Sequence, residues 1–137
     1  MTINYNLDDV EVVAKSILEQ ATSKTILFEG DMGVGKTTLI KTLVKLLGSK
    51  DIVSSPTFSL VNEYVTDHDS IYHFDLYRVE EEDELYDFGI ETYIYGDHYA
   101  FVEWPNILKP LLQNAYSIVE ITLSENTSRT LILKNFE

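Results

Sequence analysis

The chain of 137 residues contains no cysteine, so disulfides and thiolate metal sites are excluded from the outset. It has no apolar run approaching the roughly 18 residues that a membrane-spanning helix needs. Its first residues, Met1–Glu11, are polar and acidic, unlike a signal or transit peptide, and cytoplasmic residence is the expectation. Basic residues are scarce: 10 Lys and Arg face 23 Asp and Glu, for a net charge of −13. A protein that grips RNA or DNA by itself neutralises phosphates with clustered cations, and this composition argues against that role. Only two arginines occur, Arg78 and Arg129. The three histidines, His68, His73 and His98, do not have zinc-ligand spacing.

What is present is a normal apolar fraction, 45%, in a length that suits one domain over residues 1–137. The charge is unevenly placed. Lys15, Lys24, Lys36, Lys41, Lys45 and Lys50 lie in the first fifty residues, whereas Val79–Glu91 carries seven acids. Such asymmetry suits one anion-binding end and one solvated or partner-facing acidic face. For the acidic run alone, a solvated surface is the ordinary explanation.

Periodicity predicts an amphipathic helix over Asp8–Gln20, capped by Asp8 or Asn6, with Val10, Val13, Ala14, Ile17 and Leu18 on one face. Thr25–Glu29 reads as a buried strand. A glycine-rich turn, Gly30–Gly35, follows, and Lys36–Leu47 carries apolar residues at helical spacing up to a stop at Gly48. Strands are predicted at Phe58–Val65, Ile71–Leu76, Tyr99–Val102, Ser117–Leu123 and Thr130–Leu133, with a short acidic helix at Glu80–Phe88. This order predicts an α/β fold with a mixed, partly antiparallel sheet flanked by helices.

Gly30-Asp31-Met32-Gly33-Val34-Gly35-Lys36-Thr37 matches G-x-x-x-x-G-K-[ST], between a strand and a helix as that motif requires. Glycines let successive backbone N–H groups converge on one anion, and the helix that follows points its positive end at it. Lys36 would reach the β- and γ-phosphates, and the Thr37 hydroxyl would serve Mg²⁺, which favours a few hard oxygen ligands. Roughly one chain in two hundred of this length would match by chance at ordinary residue frequencies. The expected ligand is a nucleoside triphosphate, ATP with Mg²⁺.

The loop alone leaves the reaction open. A GTPase would carry N-K-x-D and D-x-x-G, and neither occurs. A stand-alone small-molecule kinase usually carries an arginine-rich lid, which two arginines cannot build. An ATPase subunit, or a nucleotide-gated interaction module, needs only the loop, one or two metal-side acids and a segment that senses the γ-phosphate. Glu103 and Asp75 each end an apolar strand and are the candidate acids. Elsewhere such strand-end acids are more often simply solvated. Thr57, in Ser54-Ser55-Pro56-Thr57, is the candidate sensor, although Pro56 equally suits an ordinary turn.

Four stretches carry a more specific signal. They are Leu27–Thr38 around the loop, Ser55-Pro56-Thr57-Phe58-Ser59-Leu60-Val61-Asn62-Glu63-Tyr64, Tyr72-His73-Phe74-Asp75-Leu76-Tyr77-Arg78, and Val102-Glu103-Trp104-Pro105. In this order they resemble the TsaE family, formerly YjeE, over nearly the whole chain. The resemblance implies a small ATP-hydrolysing subunit required for N6-threonylcarbamoyladenosine modification of tRNA. It would act with two partner proteins, TsaB and TsaD, and meet tRNA only through that complex. Carried over by position, Asp31, Met32, Gly33, Val34, Gly35, Lys36, Thr37 and Thr38 would form the phosphate site. Thr37 and Glu103 would serve the metal, Asp75 would act in hydrolysis beside Lys36 and Glu103, and Thr57 would belong to a switch. Trp104 would lie near the nucleotide or a partner, or pack on the core, and Asn6 and Arg129 would stand near the adenine. Without an arginine finger, the intrinsic ATPase is expected to be weak until a partner completes the site.

Overall fold

The computed structural model describes residues 1–54, 56, 60–124 and 128–137. The candidate sensor Thr57, with Ser55, Phe58 and Ser59, lies outside the described residues. Among those described, seven strands form one sheet in the order β1-β7-β6-β2-β5-β4-β3. The strands are β1 (Thr2–Tyr5), β2 (Thr25–Glu29), β3 (Val61–Val65), β4 (Ser70–Asp75), β5 (Tyr99–Glu103), β6 (Tyr116–Leu123) and β7 (Arg129–Phe136). β6, β2, β5 and β4 run parallel at the centre. β3 pairs antiparallel with β4 at one edge, and β7 and β1 extend the other edge antiparallel. The expected α/β fold with a mixed sheet is the observed one.

Four α-helices cover the two faces: α1 (Val10–Gln20), α2 (Lys36–Leu46), α3 (Glu82–Asp87) and α4 (Ile90–Ile94). Alternation along the central strands divides the core between them. Ile26, Phe28, Phe101 and Val119 pack with Ala14, Ile17, Leu39, Ile40 and Leu43 of α1 and α2. Leu27, Ala100, Val102 and Ile118 pack on the other face with Leu85, Ile90 and Ile94 of α3 and α4. Each fully buried large apolar side chain contributes about 1.5–3 kcal/mol of transfer free energy. The centre of the sheet is thereby rigid, and its strand ends are fixed in space.

Three local expectations change. A 3₁₀ turn over Leu7–Asp9 precedes α1, and neither Asn6 nor Asp8 caps it by a side chain. The Asn6 carbonyl instead accepts the Asp9 N–H at 2.9 Å. The polar segment Thr2–Tyr5 is an edge strand, held by β7. The acidic helix is shorter than expected and is followed at Gly89 by a second short helix, α4.

Candidate functional site

Parallel pairing brings three strand ends together. Phe28 of β2 lies opposite Glu103 of β5, and Glu103 lies opposite Asp75 of β4. All three strands point their C-terminal ends the same way, where α/β sheets hold their ligands. The chain leaves β2 through Gly30–Gly35 and turns into α2, whose N-terminus opens on the same rim.

Two glycines are demanded by the geometry. A Cβ on Gly30 would come within 2.7 Å of the Ile121 carbonyl oxygen. Gly35 caps α2 at φ 103°, a left-handed conformation that side chains disfavour. The loop's outer residues behave differently from one another. Met32 faces solvent, while Val34 is buried and its carbonyl accepts a 2.7 Å hydrogen bond from Arg129 Nε.

A cleft of about 470 Å³ sits above α2, lined by Met32, Gly33, Gly35, Lys36, Thr37 and Thr38 of the loop. Asp75, Tyr77, Arg78, Glu103 and Trp104 close its other side. Sequence reasoning thus assembled most of the cleft but passed over Tyr77 and Arg78. The available signal was their position, two and three residues beyond a strand-end acid. Arg78 also places a cation on the cleft wall. Asn6 does not line the cleft, and Arg129 braces the loop through the Val34 carbonyl without lining it.

Charged groups in the cleft floor are withdrawn from water. Lys36 is 5% exposed, Glu103 4%, Asp75 6% and the neighbouring His73 0%. Lys36 Nζ donates to the Gly30 carbonyl at 2.7 Å and lies 3.5 Å from the centre of the Trp104 ring. Trp104 holds this place from a left-handed backbone conformation, φ 55°, with its ring against Tyr77 at 4.9 Å. Desolvation lowers the Lys36 pKa from its usual value, opposed by the charges of Glu103, Asp75 and Asp31. A buried ammonium in this position gains from any anion that enters the cleft.

The Thr37 hydroxyl donates to Glu103 Oε1 at 3.1 Å and also lies 3.3 Å from Oε2. Behind it, Glu103 Oε2 is 2.7 Å from His73 Nε2. Asp75 Oδ1 accepts the Tyr77 N–H at 3.0 Å, which orients the carboxylate at the turn out of β4. A hydroxyl and a carboxylate in contact beneath an anion-binding helix end form a hard-oxygen pair that fits Mg²⁺ with its remaining sites filled by phosphate and water.

Comparison with known proteins gives the family and supports the fold. A family model described as threonylcarbamoyl adenosine biosynthesis protein TsaE matches residues 5–131. A tRNA threonylcarbamoyladenosine biosynthesis protein TsaE of Rickettsia bellii is 36% identical over 111 residues, covering 80% of this chain and 76% of the relative. The TsaE protein of Bacillus subtilis is 37% identical over 108 residues, covering 78% and 67%. In fold, the crystal structure of Bacillus subtilis YdiB superposes with a TM-score of 0.76, covering 98% of this chain and 85% of that one at 24% identity. Three of the four stretches, those that set the loop, the two strand-end acids and Trp104 in one cleft, therefore lie inside a match that spans most of the chain, and the chain belongs to the TsaE family of tRNA threonylcarbamoyladenosine biosynthesis proteins.

Proposed function

We propose that the whole chain acts as one P-loop domain that binds ATP with Mg²⁺ and hydrolyses it slowly, in the cytoplasm, as a subunit serving the TsaB–TsaD complex in tRNA modification. The observation that carries this reading is the Thr37–Glu103 pair, 3.1 Å apart, set beside the buried ammonium of Lys36 at the N-terminus of α2. Among the described residues no cluster of three or more His, Asp or Glu forms a metal cage. Mg²⁺ needs none, since it is usually held by one or two protein groups together with substrate phosphates.

In this reading the loop amides and Lys36 bind and orient the phosphates. Lys36 must leave the Gly30 carbonyl to do so, and the entering anion replaces that acceptor. Bound Mg²⁺ would neutralise charge on the phosphates. Thr37 and Glu103 would hold it, Thr37 through its hydroxyl oxygen and Glu103 directly or through water. Asp75 stands where it can orient or deprotonate a water attacking the terminal phosphate, and Arg78 adds a cation to the same wall. Arg129 acts at one remove by bracing the loop, and Asn6 stands outside the cleft.

Net charge supports the division of labour with partners. A chain at −13 is ill suited to gripping tRNA, so the tRNA is left to the complex. The test is phosphate release measured with the chain alone and after adding TsaB and TsaD. Slow release that rises severalfold with the partners is the expected result. A phosphorylated small molecule as product would mean a kinase instead, and no dependence on the partners would remove the regulatory role.

A further inference from the structure

We propose that His73 and Tyr64 are positioning residues for Glu103, forming a buried hydrogen-bonded rail that fixes the metal-side carboxylate and anchors it to the backbone at Ser54. This rests on the nucleotide reading above and goes beyond it, because neither residue lines the cleft.

A histidine is a poor choice for this position on packing grounds alone. His73 is fully buried on the α1–α2 face, two residues before Asp75 on the same strand. Its β-sheet partner is Phe101, itself two residues before Glu103. An imidazole hidden there costs stability unless both nitrogens are bonded. Both are. Nε2 donates to Glu103 Oε2 at 2.7 Å, and Nδ1 is 3.0 Å from the Tyr64 hydroxyl.

Tyr64 is also buried, at 3% exposure, and its hydroxyl lies 3.1 Å from the Ser54 carbonyl as well as 3.0 Å from His73 Nδ1, so its single proton serves one acceptor or the other at a time. Asn62 Nδ2 donates to the same carbonyl at 3.1 Å. The rail therefore runs Thr37, Glu103, His73, Tyr64, Ser54, each member touching the next. It crosses β5, β4 and β3 and ends on the residue that precedes Ser55-Pro56-Thr57-Phe58 in sequence.

The rail divides the two oxygens of Glu103. His73 makes the shorter bond to Oε2, and Thr37 makes its shorter bond to Oε1. When the Thr37 oxygen turns to a metal, its hold on Glu103 weakens. The His73 bond to Oε2 would remain and would hold the Glu103 carboxylate in place, leaving Oε1 free to serve the metal. Without it, a long, rotatable carboxylate in a buried site would be free to turn away. Partners behind a ligating carboxylate typically account for about 10–100-fold in metal affinity or activity.

The experiment uses the full chain and three variants: His73→Leu, His73→Gln, which restores an N–H donor near the Nε2 position, and Tyr64→Phe. Calorimetry gives ATP affinity with and without Mg²⁺, and steady-state hydrolysis gives kcat against Mg²⁺ concentration. In His73→Leu the Mg²⁺-dependent gain in ATP affinity should fall about tenfold and kcat at least as much, with Mg²⁺-free ATP binding within about twofold of the starting protein. His73→Gln should recover most of both, and Tyr64→Phe should lose about threefold, its ring packing being retained.

Wild-type Mg²⁺ dependence in His73→Leu overturns the proposal. So does a His73→Gln variant as impaired as His73→Leu, since that pattern belongs to a residue that only pins β3 to β4. Should His73→Leu fail to fold, Tyr64→Phe decides: unchanged Mg²⁺ dependence there overturns the rail. A starting protein that binds no Mg–ATP overturns the nucleotide reading and the rail together, which separates the two failures.

Discussion

Two groups of carboxylates in this molecule have the same chemistry and opposite surroundings. Asp75 and Glu103 stand at the ends of adjacent parallel strands, almost wholly buried. Glu80, Glu81, Glu82, Asp83, Glu84, Asp87 and Glu91 all face solvent on and around α3 and α4. The buried pair is held from several directions: Glu103 by Thr37 and His73, Asp75 by the Tyr77 N–H and the turn out of β4. The exposed group is anchored from below by Leu85 and Ile90, so its charges remain hydrated while the helices dock. A carboxylate removed from water is costly unless its partners compensate, and here those partners also set its direction. The difference teaches that the number of carboxylates in a segment does not by itself locate a site in this chain. Placement at a strand end beside a phosphate loop says far more.

The strongest way to break that comparison is Glu103→Gln. ATP turnover should fall about 100-fold while ATP binding persists, the upper end of what removing a metal-side group costs. Turnover within twofold of the starting protein would put Glu103 in the same class as the surface acids. A second, smaller effect concerns stability at high pH. Burial raises the pKa of Tyr5 and Tyr64 above the ordinary value of 10.0. The unfolded chain then ionises first, so stability is fully present below pH 10.0 and is lost as pH rises through the two raised values. Denaturant titrations from neutral pH upward should show a steepening loss above that point, and Tyr64→Phe should reduce it.

Smaller effects belong to the acidic face. α3 begins with a capping box in which Glu81 and Glu84 each accept from the other's backbone N–H. Glu84→Ala should cost about 0.5–1 kcal/mol in chemical denaturation. Combined neutralisation of Glu80, Glu82 and Asp83 to their amides should change stability by less than about 0.5 kcal/mol and leave ATP turnover unaltered. A large loss of turnover from that surface change would mean that the exposed acids serve the site after all.

The legible parts of the molecule were those written in short-range pattern. β2 and α2 follow from an apolar run, a glycine-rich turn and helical spacing, and they carry Gly33, Lys36 and Thr37 into place. Asp75 and Glu103 were found because each closes an apolar strand. The structure adds the reason they meet, the parallel β4–β5 register that sets them opposite one another. β1 was missed because its alternation, Ile3 and Tyr5 inward against Thr2 and Asn4, runs for only four residues, too short to signal a strand before pairing with β7 is known. α4 was missed because its five residues follow a glycine that reads as an end. His73 and Tyr64 were invisible as site residues for a related reason. Their bonds cross between strands distant in sequence, and a buried histidine in a β-rich segment looks like any other core residue until its partner is known.

The most direct test of the central claim is calorimetric titration of the chain with ATP in Mg²⁺, alongside a folded Lys36→Ala variant. Saturable binding of one ATP per chain, lost in the variant, is the predicted result. ATP at about one hundred times its dissociation constant should also stabilise the fold by about 2.7 kcal/mol, and only in the starting protein. No uptake by well-folded protein, or equal uptake by Lys36→Ala, would contradict the account.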